Sequence, residues 1–170
     1  MNKTFASQRN ELMTRLTILC LVVGLICLVA CTPAAVQSSE PRDLSPSATW
    51  NGDYPIAALD QLPAGQQQNR AGYIGDADTF TKVWQNFMPE EAPPAVDFEN
   101  SLVVFSRNVV YYNRTNIFKV TLTAGVAEVL AMETMSAMPV EDRAAMAMAV
   151  IPRAGVKAIR LDETTTVEID

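Results

Sequence analysis

The 170-residue chain contains no histidine. That removes the usual general base at neutral pH, the commonest zinc ligand and any serine–histidine pairing. Carboxylates, lysine, tyrosine and hydroxyls are left for chemistry, and no spacing among them marks a catalytic set. Cysteine is nearly as scarce, since Cys20, Cys27 and Cys31 all fall at the start of the chain. Everything after Cys31 must therefore be held by an ordinary apolar core without disulfides. Positive charge is also short, at 13 Lys and Arg against 19 Asp and Glu. Such a balance argues against a nucleic-acid partner, which needs clustered cations, and against broad docking on anionic lipid.

One long apolar run is present, from Leu16 to Ala30, preceded by Lys3, Arg9 and Arg15 and ending in a small residue followed by Cys31. This is the layout of a secretory signal. At 15 residues the run is shorter than the roughly 20 needed to span a bilayer as a helix, and no basic stop-transfer flank follows it. Leu28-Val29-Ala30-Cys31 resembles the lipobox of bacterial lipoproteins at all four positions. The resemblance implies cleavage between Ala30 and Cys31, a diacylglyceryl thioether on Cys31 and acylation of the new amino group. No other cofactor is expected. Thr32 stands where an Asp would signal inner-membrane retention, so the expected location is the cell envelope, on the outer membrane facing the periplasm. Removing Lys3, Arg9, Arg15 and Glu11 leaves 10 basic and 18 acidic residues, a net charge of −8. Membrane contact is then expected through the acyl chains, where two or more make anchoring stable.

The expected organisation is a signal peptide over 1–30, a lipidated N-terminus and coil tether over 31–49, and one domain over 50–170. The tether reading rests on Pro, Ala, Ser and Gln without an apolar period. Trp50 to Leu62 brings the first packed segment, Gln66 to Asn69 a polar loop, and Arg70 to Ile74 a short strand. Asp76 or Asp78 is placed to cap a helix in which Phe80, Val83, Trp84 and Phe87 form one stripe, stopping before Pro89. Leu102-Val103-Val104-Phe105 predicts a strand buried on both faces. Ile117 to Thr123 predicts a strand with Phe118, Val120 and Leu122 on its dry face. Ala124-Gly125 turns into a partner strand over 126–134, despite its helix-favouring residues. Pro152-Arg153-Ala154-Gly155 is expected to close a second hairpin, and Thr164 to Ile169 to add an edge strand. One helix and several strands predict an α+β domain with a mainly antiparallel sheet packed by one amphipathic helix.

From Phe80 to about Pro152, the aromatic helix with Trp84, the Pro94-Ala95-Val96-Asp97-Phe98 element, the Val-rich strand and the Tyr-containing loop resemble the C-terminal domain of PrcB-like accessory lipoproteins of protease complexes. Where that family tends to have a Gly-Gly-Tyr turn, this chain has Tyr111-Tyr112-Asn113-Arg114. The resemblance implies a non-enzymatic accessory role with an envelope protein partner, and it transfers no catalytic residue.

Several clusters compete for function. Met132, Met135, Met138, Met146 and Met148 carry soft thioethers suited to Cu(I), but Met is a common core filler and that is the expected role. Asp76 and Asp78 with Asp53 or Asp60 offer oxygens for Ca²⁺, but the loop pattern is missing and capping accounts for them. Asp97 and Glu99 are the carboxylates on which an envelope hydrolase would depend, and bracing the turn after Pro94 is the competing role for Asp97. A structural spacer is a third reading. The stretch holding Arg107, Tyr111, Tyr112, Asn113 and Arg114 is the expected partner-binding site, because Tyr and Arg supply large contact area with a polar tip.

Overall fold

The computed structural model describes residues 40–108, 112–138 and 141–169. The lipobox, Val109 to Tyr111 and the side chain of Tyr112 lie outside the described residues. Nine strands form two sheets among them, giving the α+β class. In chain order these are β1 (Arg42–Leu44), β2 (Ala48–Pro55), β3 (Ala71–Ile74), β4 (Ser101–Asn108), β5 (Tyr112–Thr123), β6 (Val126–Met135), β7 (Arg143–Pro152), β8 (Ala158–Arg160) and β9 (Thr166–Glu168). One sheet runs β2-β7-β4-β3, all antiparallel, and the other β1-β5-β6-β8-β9. A 3-10 turn (Ile56–Gln61) and helix α1 (Ala77–Phe87) pack on the four-stranded sheet.

The four-stranded sheet is the middle of three layers, and its side-chain alternation explains both cores. On β4, Val103 and Phe105 point to the helix side while Leu102 and Val104 point to the five-stranded sheet. On β7, Met146 and Met148 join the first core, and Ala149 and Ile151 the second. A strand dry on both faces reads as an unbroken apolar run, which is how both appear in the sequence. Helix α1 begins where Asp76 accepts from the Thr79 amide at 2.8 Å, satisfying one of the orphan donors of the first turn. Its stripe of Phe80, Val83, Trp84 and Phe87 is fully engaged. Trp84 meets Trp50 edge-on at 5.1 Å and donates its indole N–H to the Glu91 carbonyl at 3.0 Å.

Three expectations change. The coil expected through residue 49 is already ordered at β1, where Leu44 is buried between the sheets and pairs with Val120. A single inward leucine among polar neighbours leaves no period to detect. The second hairpin does not form: the turn closed by the Val156 amide on the Arg153 carbonyl carries the chain out of one sheet and into the other, where β8 pairs with β6 in parallel. Phe118 is exposed rather than inward, because β5 has one residue more than β6 between the Ile117–Ala131 and Lys119–Leu130 pairs. This bulge shifts the buried phase from Thr115 to Val120 and Leu122 and turns Phe118 out. The turn joining β5 and β6 has positive φ at Ala124 (50°) and Gly125 (92°), the handedness that two-residue hairpins require.

Candidate binding surface

The stretch from Arg107 to Arg114 is divided by the fold. β4 runs on through Arg107 and Asn108, and both are buried, so neither is available for surface contact. Arg107 lies on the helix side, where Nη2 donates to the carbonyls of Gln67 and Asn69, each at 2.9 Å. These acceptors are neutral, and burial pushes the pKa of the guanidinium down. Asn108 lies on the other face in a polar cluster that ties the two sheets together. Arg70 donates to its Oδ1 from Nε and Nη2 at 3.1 and 2.9 Å, and reaches Glu133 at 3.1 Å and Asp162 at 3.3 Å, while Asn108 Nδ2 donates to Glu133. These groups are engaged with one another and brace the fold. Of the expected contact residues, Asn113 and Arg114 are exposed on β5.

The other candidates separate as cleanly. Asp97 accepts from the Glu99 amide at 3.1 Å, the Asn100 amide at 3.3 Å and the Asn100 side chain at 2.9 Å. These bonds, led by that of the Asn100 side chain, hold its carboxyl below the usual carboxylate range. Asp97 thus braces the turn before β4. Asp76 is the helix cap, and Asp53 pairs with Arg143 at 2.6 Å. No three His, Cys, Asp or Glu side chains converge as metal ligands among the described residues. The methionines split: Met146 and Met148 are fully buried, whereas Met132, Met135 and Met138 are 58, 67 and 73% exposed. Core filling therefore accounts for only two of the five.

The exposed members point to a surface that pattern reading missed. On β6, Ala127 and Val129 face the core, so Glu128, Leu130, Met132 and Thr134 share the outer face of the five-stranded sheet. Leu130 pairs with Lys119 and Met132 with Asn116, and the bulged Phe118 lies between those rungs. Phe118, Leu130 and Met132 are all more than half exposed. Exposed apolar side chains gathered on one face suit a contact site, whereas singly scattered ones need no explanation. Beside them runs a groove of about 570 Å³ lined by Lys119, Thr121, Glu128, Leu130, Arg160 and Asp162. Glu163 also lines it, and the four other charged side chains are paired: Lys119 with Asp43 at 2.9 Å, Arg160 with Glu128, and Asp162 with Arg70 at 3.3 Å. The signal was present in the sequence as parity, since Leu130 and Met132 fall in step with Glu128 and Thr134. Comparison with protein families, with curated proteins and with solved structures finds no match to this chain.

Proposed function

We propose that the protein is a lipid-anchored component of the bacterial cell envelope, held at the outer membrane through acyl chains on Cys31, and that it works as a non-catalytic accessory module through surface contact. The observation that carries the contact reading is the exposed cluster of Phe118, Leu130 and Met132 on an otherwise well-packed sheet. Leaving such groups in water forgoes the stabilisation of burying them, about 1.5–3 kcal/mol for each large apolar side chain. A surface that retains them is suited to being covered by something outside the chain. The lipobox resemblance supplies the anchor.

Two measurements test this reading. Metabolic labelling with a fatty acid should mark the wild type and leave the Cys31→Ala protein unlabelled as a larger precursor; a mature, labelled Cys31→Ala protein would sink the anchor. A photoreactive residue at Leu130 should yield cross-linked adducts in intact envelopes that the same group at Gln85, exposed on α1, does not. Equal yields from both positions would remove the outer face as the contact surface.

A further inference from the structure

We infer that the outer face of the five-stranded sheet, centred on Phe118, Leu130 and Met132, seats the domain on the lipid bilayer that holds its anchor. This rests on the lipid-anchor reading and names what the exposed face contacts. Three observations carry it.

The first is reach. β1 starts at Arg42, so ten residues, Thr32 to Pro41, lie between Cys31 and β1, and that length of chain spans at most about 40 Å even when drawn straight. β1 belongs to the same sheet as the apolar cluster. Arg42 pairs with Leu122, Leu130 with Lys119 and Met132 with Asn116, so the chain enters three to six residues along β5 from the cluster, about 10–20 Å away. A tether of that length holds the domain near the bilayer, and it enters by the sheet that carries the outer face.

The second is charge. Between Asp53 and Glu99 the chain carries eight carboxylates against two cations, Arg70 and Lys82. That stretch includes α1, on the far side of the four-stranded sheet from the outer face. β5 and β6 together, by contrast, balance Arg114 and Lys119 against Glu128 and Glu133. Anionic headgroups therefore repel the helix layer and leave the β5–β6 face as the approach of least repulsion. Two of the outer-face cations are already neutralised, Lys119 by Asp43 and Arg160 by Glu128, which lowers the cost of bringing the face to an interface of low polarity.

The third is the guarded edge. β1 covers β5 only from Val120 to Leu122, and the uncovered length of β5 carries register irregularities between Tyr112 and Arg114 and between Ile117 and Lys119. Bulges of this kind hinder addition of another strand at a sheet edge. Pairing with a second copy along β5 is disfavoured, while Phe118, Leu130 and Met132 stay exposed among the described residues.

The test uses the full chain, processed in a bacterial host and reconstituted into vesicles of phosphatidylethanolamine and phosphatidylglycerol. The sequence has no cysteine after Cys31, and a Cys31 whose sulfur is in the diacylglyceryl thioether carries no free thiol, so Met132→Cys gives a single site for an environment-sensitive fluorophore. Gln85→Cys on α1 is the control. Emission from position 132 should shift to the blue and be quenched by lipid carrying bromine in its acyl chains, and emission from position 85 should do neither. Adding Phe118→Ser and Leu130→Ser should return position 132 to water. Equal quenching at both positions, or none at 132, overturns the seating. A blue shift at 132 without lipid quenching identifies a second copy or another protein as the occupant and overturns it too. Intact mass of the same sample separates the two readings: an unacylated Cys31 removes the anchor and the seating together, whereas an acylated Cys31 with position 132 in water removes the seating alone.

Discussion

β4 and β6 are of similar length, and β6 is the richer in apolar side chains, but β4 is dry on both faces and β6 on one. The difference lies in which layer each occupies. β4 has α1 on one side and the five-stranded sheet on the other, so Leu102, Val103, Val104 and Phe105 all reach zero exposure. β6 has a sheet on one side and nothing from the described residues on the other, so Val129 is buried and Leu130 is not. Apolar content sets how strongly a strand seeks cover; topology decides how much of it this chain supplies. Where supply falls short, as at Phe118, Leu130 and Met132, the remainder is available for contact.

The largest test of this contrast is Trp84→Ala, in the core on the helix side of the middle sheet. Trp84 is 1% exposed and contacts the rings of Trp50, Phe80 and Phe87, so truncation should cost about 3–5 kcal/mol in denaturant unfolding. An unchanged midpoint would mean that the helix layer does not cover the sheet as described.

Next in size is an alkaline effect on the same core. Tyr54 on β2 is fully buried and donates its hydroxyl to the Ala58 carbonyl at 2.9 Å, and burial, aided by the nearby Asp60 carboxylate, pushes its pKa up to about 12. Because the folded value is raised, the contribution is fully present below the unfolded value near 10 and is lost as pH climbs through 12. A two-unit shift corresponds to about 2–3 kcal/mol of lost stability across that window. Tyr54→Phe should flatten the stability profile there; the same alkaline decline in that variant would place the responsible group elsewhere. At the acid end the sign reverses. Asp97 and Asp162 are held below their ordinary value mainly by side-chain hydrogen bonds from Asn100 and Thr164, so their contribution is present above the ordinary carboxylate range and fades below it. With no histidine, the interval between pH 5 and 8 has no side chain that ordinarily titrates within it.

Gly72→Ala probes the tightness of the middle sheet. Gly72 pairs with Phe105, and a Cβ there would stand 2.1 Å from Gln66 Oε1 and 2.5 Å from the Phe105 ring. That same Gln66 oxygen accepts the Tyr73 amide at 2.8 Å, so it cannot withdraw without leaving a backbone donor unpaired. Overpacking should cost about 1–3 kcal/mol, read as a lower melting temperature. A neutral result would show that the 66–69 loop yields easily.

Much of the middle sheet was legible because local pattern and burial agree there. The α1 stripe, the Asp76 cap and the apolar run of β4 needed only neighbours in sequence. The α+β class followed from the order of elements. The outer sheet was harder for identifiable reasons. The bulge at Phe118 breaks a period of two that looks intact from Phe118 to Leu122, and β8 takes its partner from β6 rather than from the strand just before it. Arg107 looked like a surface residue because a buried guanidinium satisfied by loop carbonyls depends on contacts 38 and 40 residues away. Parity along β6 did hold the outer-face cluster, but only after Glu128 and Thr134 were known to face water.

The smallest expected change bears most directly on function, and it compares two adjacent residues of β6. Val129 is 2% exposed among Leu44, Leu102 and Ile151 in the core between the sheets, and losing two carbons there in Val129→Ala should cost about 2 kcal/mol. Leu130, one residue on, is 53% exposed on the opposite face, and Leu130→Ala removes three carbons from a site that this chain leaves largely in water. Its cost should stay within about 0.5 kcal/mol. Urea unfolding of the two variants side by side measures the contrast, since both changes are conservative and neither disturbs a hydrogen bond. The larger truncation should be the milder one. If Leu130→Ala instead costs as much as Val129→Ala, residues of the same chain cover the outer face, and the cluster with Phe118 and Met132 has no role beyond the fold. A small cost would show that whatever rewards keeping Leu130 on that face lies outside the chain.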